Sequence, residues 1–273
     1  MTIIYQYINL NSGAKLIKRP SKSIKSPYIA DIQMNDKEYL AHCPALGISG
    51  LLNHDSNFIC SFNDSTTRKS KYTIELTYLP STKDTTTITN TNPNFGNILF
   101  KSIIEKNLIH DYLNHTLFKS EKTYDDCRFD FYIEKENGIK EFIEIKSVLL
   151  CNFDKNQYPD YIKKPEIHRL SNYKKGAIFP DGFRKNKNVP ISERAIKHLK
   201  TLQKCKKNGY DASLYFMIQR NDCDYFKPSD VDQFYSKELK QAVENGVNIK
   251  AISLEWNKNG TCTFKGFIPV IIE

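Results

Sequence analysis

From residue 1 to about residue 80, apolar positions come in short runs broken by turn residues. YIADIQM (Tyr28 to Met34), EYLAHC (Glu38 to Cys43), NFICSF (Asn57 to Phe62) and KYTIELTYL (Lys71 to Leu79) read as strands. Asn-Asp, Pro-Ala-Leu-Gly and Asn-Asp-Ser clusters separate them. Many short strands with little helical periodicity predict a small barrel. The Thr- and Asn-rich stretch from Pro80 to Asn97 reads as a linker.

Beyond it the pattern changes. Asn97 to Leu108 has helical spacing, and CRFDFYIE (Cys127 to Glu134) alternates. Phe129, Phe131 and Ile133 are expected on one face of that strand, with Arg128, Asp130 and Tyr132 on the other. Asn137-Gly138 marks a hairpin turn into a second strand, FIEIKSV (Phe142 to Val148). Ser192 to Asn208 reads as a helix that follows Pro190 and stops at Gly209. It turns Ala195, Leu199 and Leu202 inward and Lys197, Lys200, Lys204 and Lys207 outward. DASLYFMIQ (Asp211 to Gln219) is a buried-strand run, and a helix to about Asn245 leads to the strand NIKAISLEW (Asn248 to Trp256). This order predicts an α/β domain around a mixed sheet.

FIEIKSV is apolar yet holds Glu144 and Lys146, which alternation puts on one face. On its own such a pair is an ordinary ion pair; Glu238-Leu239-Lys240 has the same spacing on a helix, where it shares no face. Asp130, on the preceding strand, changes the picture. Two carboxylates flanking a space suit an oxygen-seeking divalent cation, Mg²⁺ or Mn²⁺. A lysine beside them can orient or deprotonate the water that attacks a phosphodiester. This is the D…E-x-K arrangement of metal-dependent nucleases with a restriction-endonuclease-like core. Strand parity constrains it. A two-residue turn at Asn137-Gly138 would send Asp130 to the face opposite Glu144. A three-residue loop from Asn137 to Ile139 would set Asp130 across from Lys146 and Tyr132 across from Glu144. An odd-length loop or a bulge is therefore expected.

Charge adds a ligand class. The net charge is +9, and Asp160 to Tyr210 holds 14 Lys and Arg against 4 Asp and Glu, so the rest of the chain is near neutral. Such a concentration points to a polyanion, here DNA. The seven cysteines never form C-x-x-C, which points to reduced thiols in a cytoplasmic setting and against a cysteine zinc site. No basic start precedes an apolar run, and the longest apolar run, Phe267 to Ile272, is too short to span a membrane. Neither a membrane nor a small-molecule cofactor is expected.

The chain resembles the sugar fermentation stimulation protein (SfsA) family. The resemblance rests on RFDF (Arg128 to Phe131), EIKSV (Glu144 to Val148), FPD (Phe179 to Asp181) and ERAIKHLKTL (Glu193 to Leu202). FMIQRNDCDYFKP (Phe216 to Pro228), AVENGV (Ala242 to Val247) and an N-terminal block through Leu52 extend it over most of the chain. It implies an OB-like β-barrel over residues 1–84 and a PD-(D/E)xK nuclease-like domain over residues 85–273. It implies Asp130, Glu144 and Lys146 as the catalytic set, with Asp130 and Glu144 on the metal and Asp181 and His198 as accessory residues. DNA contacts are expected from Lys18 and Arg19 on the barrel and from Arg194, Lys197, Lys200 and Lys204 on the basic helix. Two departures stand out. Ala45-Leu46 replaces the family's usual Asn-Thr, and Lys101-Ser102 replaces a pair of glutamates, for which Glu105 is a substitute one turn on. The expectation is a Mg²⁺-dependent, exonuclease-like DNA nuclease. The alternative is a non-catalytic, sequence-tolerant DNA-binding or regulatory protein linked to sugar-utilisation genes.

Overall fold

The N-terminal strands close on one another. The structure, a computed structural model, describes residues 1–44, 57–65, 67–79, 87–153, 174–180 and 188–272. Strand β1 (Thr2–Gln6) is followed by β2 (Leu10–Lys18), β3 (Ile29–Met34), β4 (Lys37–His42), β5 (Asn57–Phe62) and β6 (Tyr72–Leu79). The order β4-β3-β2-β5-β6 is antiparallel throughout until β6 returns beside β4 in parallel, through Ala41↔Tyr72 and His42↔Thr73. Five strands thus form a ring of OB-like connectivity. Alternation turns Ala14, Leu16, Ile32, Phe58, Cys60 and Ile74 into its centre.

Two strands depart from the sequence-based layout. β7 (Thr87–Asn90), inside the expected linker, pairs with β6 and is wholly buried. β1 leaves the ring and pairs with the last strand of the chain, β16 (Thr261–Ile268). The ring and the larger sheet share one core, in which Ile59, Leu76 and Ile88 meet Phe95 and Leu99. Tyr7 stacks on Phe95 at 5.1 Å and donates to Glu75 Oε2 at 2.9 Å.

The rest is a three-layer arrangement. Helix α1 (Phe95–Glu105) is followed by β8 (His115–Tyr124), β9 (Cys127–Lys135), β10 (Lys140–Val148), β11 (Cys151–Phe153) and β12 (Lys175–Phe179). Then come α2 (Glu193–Lys207), β13 (Asp211–Ile218), β14 (Tyr225–Pro228), α3 (Gln233–Glu244), β15 (Asn248–Trp256) and β16. The large sheet runs β1-β16-β15-β13-β10-β9-β8. Its centre, β10-β13-β15, is parallel, and both margins are antiparallel. α1 covers one face through Leu99, Phe100 and Ile103. α2 and α3 cover the other through Leu199, Leu202 and Leu239. Central strands covered on both faces must be apolar on both, as β13 is. The order helix, antiparallel meander, crossover helix, parallel strand is a restriction-endonuclease-like mixed sheet. β11, β12 and β14 form a small separate sheet. Among the described residues no helix is long and apolar enough to cross a membrane.

Candidate functional site

The site begins where two strands part. β9 and β10 pair from Glu134↔Lys140 to Phe131↔Ile143. Lys135 N–H donates to Ile139 at 2.9 Å, which leaves Glu136, Asn137 and Gly138 as a three-residue loop. Gly138 takes the left-handed conformation such loops need (φ +81°). The loop has the expected odd length but sits one residue earlier than Asn137 to Ile139. Tyr132 therefore faces Phe142 rather than Glu144. One further step of the same register sets Asp130 opposite Glu144, not Lys146. Pairing stops there, although β9 extends back to Cys127 and β10 on to Val148. In the gap, Ile145 N–H donates to Asp130 Oδ2 at 2.7 Å, so the carboxylate serves a backbone group that the ladder no longer serves.

Asp130 is also where β9 changes face. Phe131 and Ile133 lie in the core beneath α1, whereas Cys127 and Phe129 lie in the core beneath α2. The expectation that Phe129, Phe131 and Ile133 share a face is thus corrected. Glu121, across from Asp130 in the β8–β9 register, has φ +58°.

Glu144 is 2 % exposed. Its Oε1 accepts from Lys146 Nζ and from His198 Nδ1, the latter at 2.5 Å. Its Oε2 is buried with no hydrogen-bond partner among the described residues, and the same holds for the buried Tyr235 hydroxyl. Burial opposes ionisation of Glu144, but Lys146 and His198 outweigh it and hold the carboxyl below its ordinary value. Asp130 goes the other way. Burial and then the Glu144 charge raise its carboxyl, against the pull of Ile145 N–H and of Asn97, whose Nδ2 donates to Oδ1 at 2.7 Å. These are hard oxygen donors with an unmet valence on one carboxylate, and the set fits a divalent cation of the Mg²⁺, Mn²⁺ or Ca²⁺ kind.

Close packing brings α1 to the gap. A Cβ on Gly96 would stand 2.6 Å from Ser147 Oγ and 3.1 Å from Ile145 Cγ2. Ser147 Oγ accepts from Gly96 N–H and Gln219 Nε2 and donates to the Pro93 carbonyl. Asn97 is thereby carried over Asp130.

The other expected residues divide. His198 is in the site, on Glu144. Glu105 is exposed, paired with Lys101 at 3.7 Å, and lies about 12 Å along α1 from Asn97 at 1.5 Å per residue. Asp181 lies outside the described residues. Arg194 is exposed one turn before His198 and makes no ion pair among the described residues. Its neighbours are already engaged: Lys197 with Asp126 at 2.7 Å, Lys204 with Asp125 at 3.3 Å and Lys200 with Glu238 at 3.9 Å. Lys18 is exposed on the ring, and Arg19 Nε donates to the Pro27 carbonyl at 2.7 Å. Sequence reasoning missed Asn97, Ser147, Gln219 and Tyr235. Ser147 lay within EIKSV and Gln219 within FMIQRNDCDYFKP, so these two had a usable signal.

A family model described as "Sugar fermentation stimulation protein RE domain" matches residues 94–164 and 168–260. The chain belongs to the sugar fermentation stimulation protein family. A Sugar fermentation stimulation protein homolog of Pelagibacter ubique is 32% identical over 247 residues, covering 89% of each chain. That of Clostridium beijerinckii is 30% identical over 269 residues, covering 98% of this chain and all of its own. The solved structure titled "The structure of Pyrococcus Furiosus SfsA in complex with Ca2+" superposes with a TM-score of 0.74 at 20% identity over the whole of both chains. That likeness establishes the shared fold.

Proposed function

We propose that this chain binds DNA and hydrolyses its phosphodiester bonds with a divalent cation, Mg²⁺ or Mn²⁺, held by Asp130 and Glu144. The observation that carries this reading is Glu144 Oε2, a buried carboxylate oxygen without a donor, on the strand that faces Asp130 across the gap. Leaving such a group unsatisfied costs about 1–3 kcal/mol or more, which a cation would offset. The Pyrococcus furiosus structure is titled as a complex with Ca²⁺, an oxygen-seeking ion of the same class, and supports the reading.

When bound, such a cation supplies charge stabilisation at the scissile phosphate. Lys146, its side chain 16% exposed, places Nζ beside Glu144 to orient the attacking water and to meet the negative charge that develops on the phosphate. His198 holds Glu144 Oε1 and Asn97 holds Asp130 Oδ1, so both act as positioning residues. Arg194, exposed one turn before His198, offers a cation for a neighbouring phosphate.

A second reading, DNA binding without cleavage, is favoured by α1. Lys101 pairs with Glu105, and Ser102 Oγ donates to the Ile4 carbonyl at 2.6 Å, so neither supplies a carboxylate. One assay separates the two: labelled single- and double-stranded DNA with Mg²⁺, Mn²⁺ or EDTA, wild type against Lys146→Ala. Cation-dependent cleavage lost in Lys146→Ala supports hydrolysis at this site. Binding without cation-dependent cleavage supports the second reading. Cleavage surviving both Lys146→Ala and Glu144→Ala refutes this site.

A further inference from the structure

A second cluster lies beyond the end of β10. Cys151 opens β11, Cys223 lies just before β14, and their sulfurs and the Asp222 carboxylate come within 4.8 Å of one another. Asp222 is committed. Its Oδ1 accepts from Arg220 Nε at 2.6 Å, and its Oδ2 from Arg220 Nη2 and Lys175 Nζ, both at 2.8 Å. A metal ion here would meet two fixed positive charges and a carboxylate already used three times. That leaves two thiols, fewer than the three or four protein ligands of zinc sites.

The same charges favour thiol chemistry. Cys151 is partly exposed, whereas Cys223 is 7 % exposed. The neighbouring Cys223 thiol, and then Arg220 and Lys175, lower the Cys151 thiol against the opposing effect of burial. Burial raises the Cys223 thiol. A partly exposed thiol with a lowered pKa, beside a buried second thiol within 4.8 Å, is the arrangement in which a sulfenic acid is captured as a disulfide.

We propose that Cys151 and Cys223 form a reversible oxidation site, in which a hydroperoxide oxidises Cys151 and Cys223 resolves it. The Cys151 thiolate attacks the terminal peroxide oxygen; the O–O bond breaks, and the departing alkoxide takes a proton to leave as alcohol or water. The Cys223 sulfur then attacks the sulfenic sulfur. The S–S bond forms, the S–O bond breaks, and hydroxide leaves as water with the Cys223 proton. Two thiols lose two electrons and two protons, and the peroxide gains them. The sulfurs must close by at most about 3 Å to reach the S–S distance of ~2.05 Å.

The test uses the intact protein and hydrogen peroxide, followed by alkylation, non-reducing digestion and peptide mass mapping. The expected product is a single Cys151–Cys223 linked peptide, a loss of two alkylatable thiols, and their return with dithiothreitol. In Cys223→Ser, Cys151 should accumulate as sulfenic acid trapped by dimedone. Because that variant removes a buried side chain, the wild-type map decides independently of its folding. Oxidation spread over the other cysteines, an over-oxidised Cys151 with Cys223 still free, or Zn²⁺ protection of both thiols from alkylation would each overturn the proposal.

Discussion

Two glutamates on β10 pay the same burial and end differently. Glu141 and Glu144 are each 2% exposed and, three residues apart, project to opposite faces. Glu141 is fully served. Its Oε1 accepts from Tyr112 Oη at 2.8 Å and from Ser213 Oγ, and its Oε2 pairs with Lys135 Nζ at 2.9 Å. Tyr215 Oη donates in turn to Tyr112 Oη at 3.0 Å, so the cluster closes on itself. Glu144 has two donors on one oxygen and none on the other. Burial alone therefore does not tell the two carboxylates apart; the unserved Oε2 of Glu144 does. Asp222 confirms the distinction from a third position. Arg220 and Lys175, against the effect of burial, bring its carboxyl down to about 2, the behaviour of a saturated structural anion.

The contrast breaks most sharply in activity. Lys146→Ala should lower cation-dependent cleavage by about 10²–10³-fold, the cost of losing one preorganised donor at a developing charge. DNA affinity, measured in EDTA, should change little. An equal loss of binding and cleavage would place Lys146 in ground-state contacts rather than in the chemistry.

Stability gives the converse. Glu141→Ala strands Lys135, Tyr112 and Ser213, and should cost about 3 kcal/mol in urea unfolding, the scale for breaking a buried pair from one side. Glu144→Gln keeps the shape, removes a charge whose Oε2 is unserved, and should cost less than half as much. Equal losses would erase the distinction between the two glutamates.

The strands and helices that build the gap were legible because their patterns are local. Ser192 caps α2 through Ala195 N–H, and Ala195, Leu199 and Leu202 are buried as helical spacing requires. The odd-length hairpin followed from the need to bring Asp130 and Glu144 together, but the loop position did not, because Asn137-Gly138 fits the middle or the end of a three-residue turn equally well. β8 was invisible: an edge strand, mostly exposed, reading HTLFKSEKTY with no sustained alternation. The membership of β1 in the large sheet depends on β16, at the far end of the chain, and no local pattern carries it. The face change at Asp130 breaks strict alternation, so a period-two reading necessarily misplaced Phe129. Asn97 matters through tertiary contact alone.

Proton competition sharpens the pairing of Asp130 with Glu144. Asp130 is raised above its ordinary value of 3.8 by burial and then by the Glu144 charge. A raised carboxyl takes up its proton earlier as pH falls, so cation affinity should begin to decline at a higher pH than for an ordinary aspartate. The decline should approach about tenfold per pH unit once Asp130 is mostly protonated. Calorimetric titration with Mn²⁺ across mildly acidic pH checks this. In Glu144→Gln the Asp130 carboxyl resonance, followed by NMR, should titrate at lower pH than in the wild type. An unchanged titration would mean that Asp130 does not feel Glu144.

The smallest effect separates the lysines of α2 from its arginine. Each phosphate neutralised on duplex DNA contributes a slope of about −0.9 in log K against log salt. Sequence alone makes Lys197, Lys200 and Lys204 a phosphate-binding row. In the structure each already faces a carboxylate, and the two closest pairs fix the ends of a short connection, Asp126 with Lys197 and Asp125 with Lys204. Exposed pairs of this kind are weak, about 0–1 kcal/mol, so DNA can still compete for the lysines, but only by giving up the partner. Arg194 has no such partner among the described residues and sits a turn from His198. Arg194→Ala should therefore flatten the salt slope by about 0.9, and the Lys197, Lys200 and Lys204 triple alanine variant by well under three times that amount. Fluorescence anisotropy over a salt series reads both slopes. A full three-phosphate loss in the triple variant would show that DNA displaces the carboxylates and that the basic row binds as its sequence suggests. No change in either variant would move the DNA contact to the ring, where Lys18 and Arg19 are the residues to replace next.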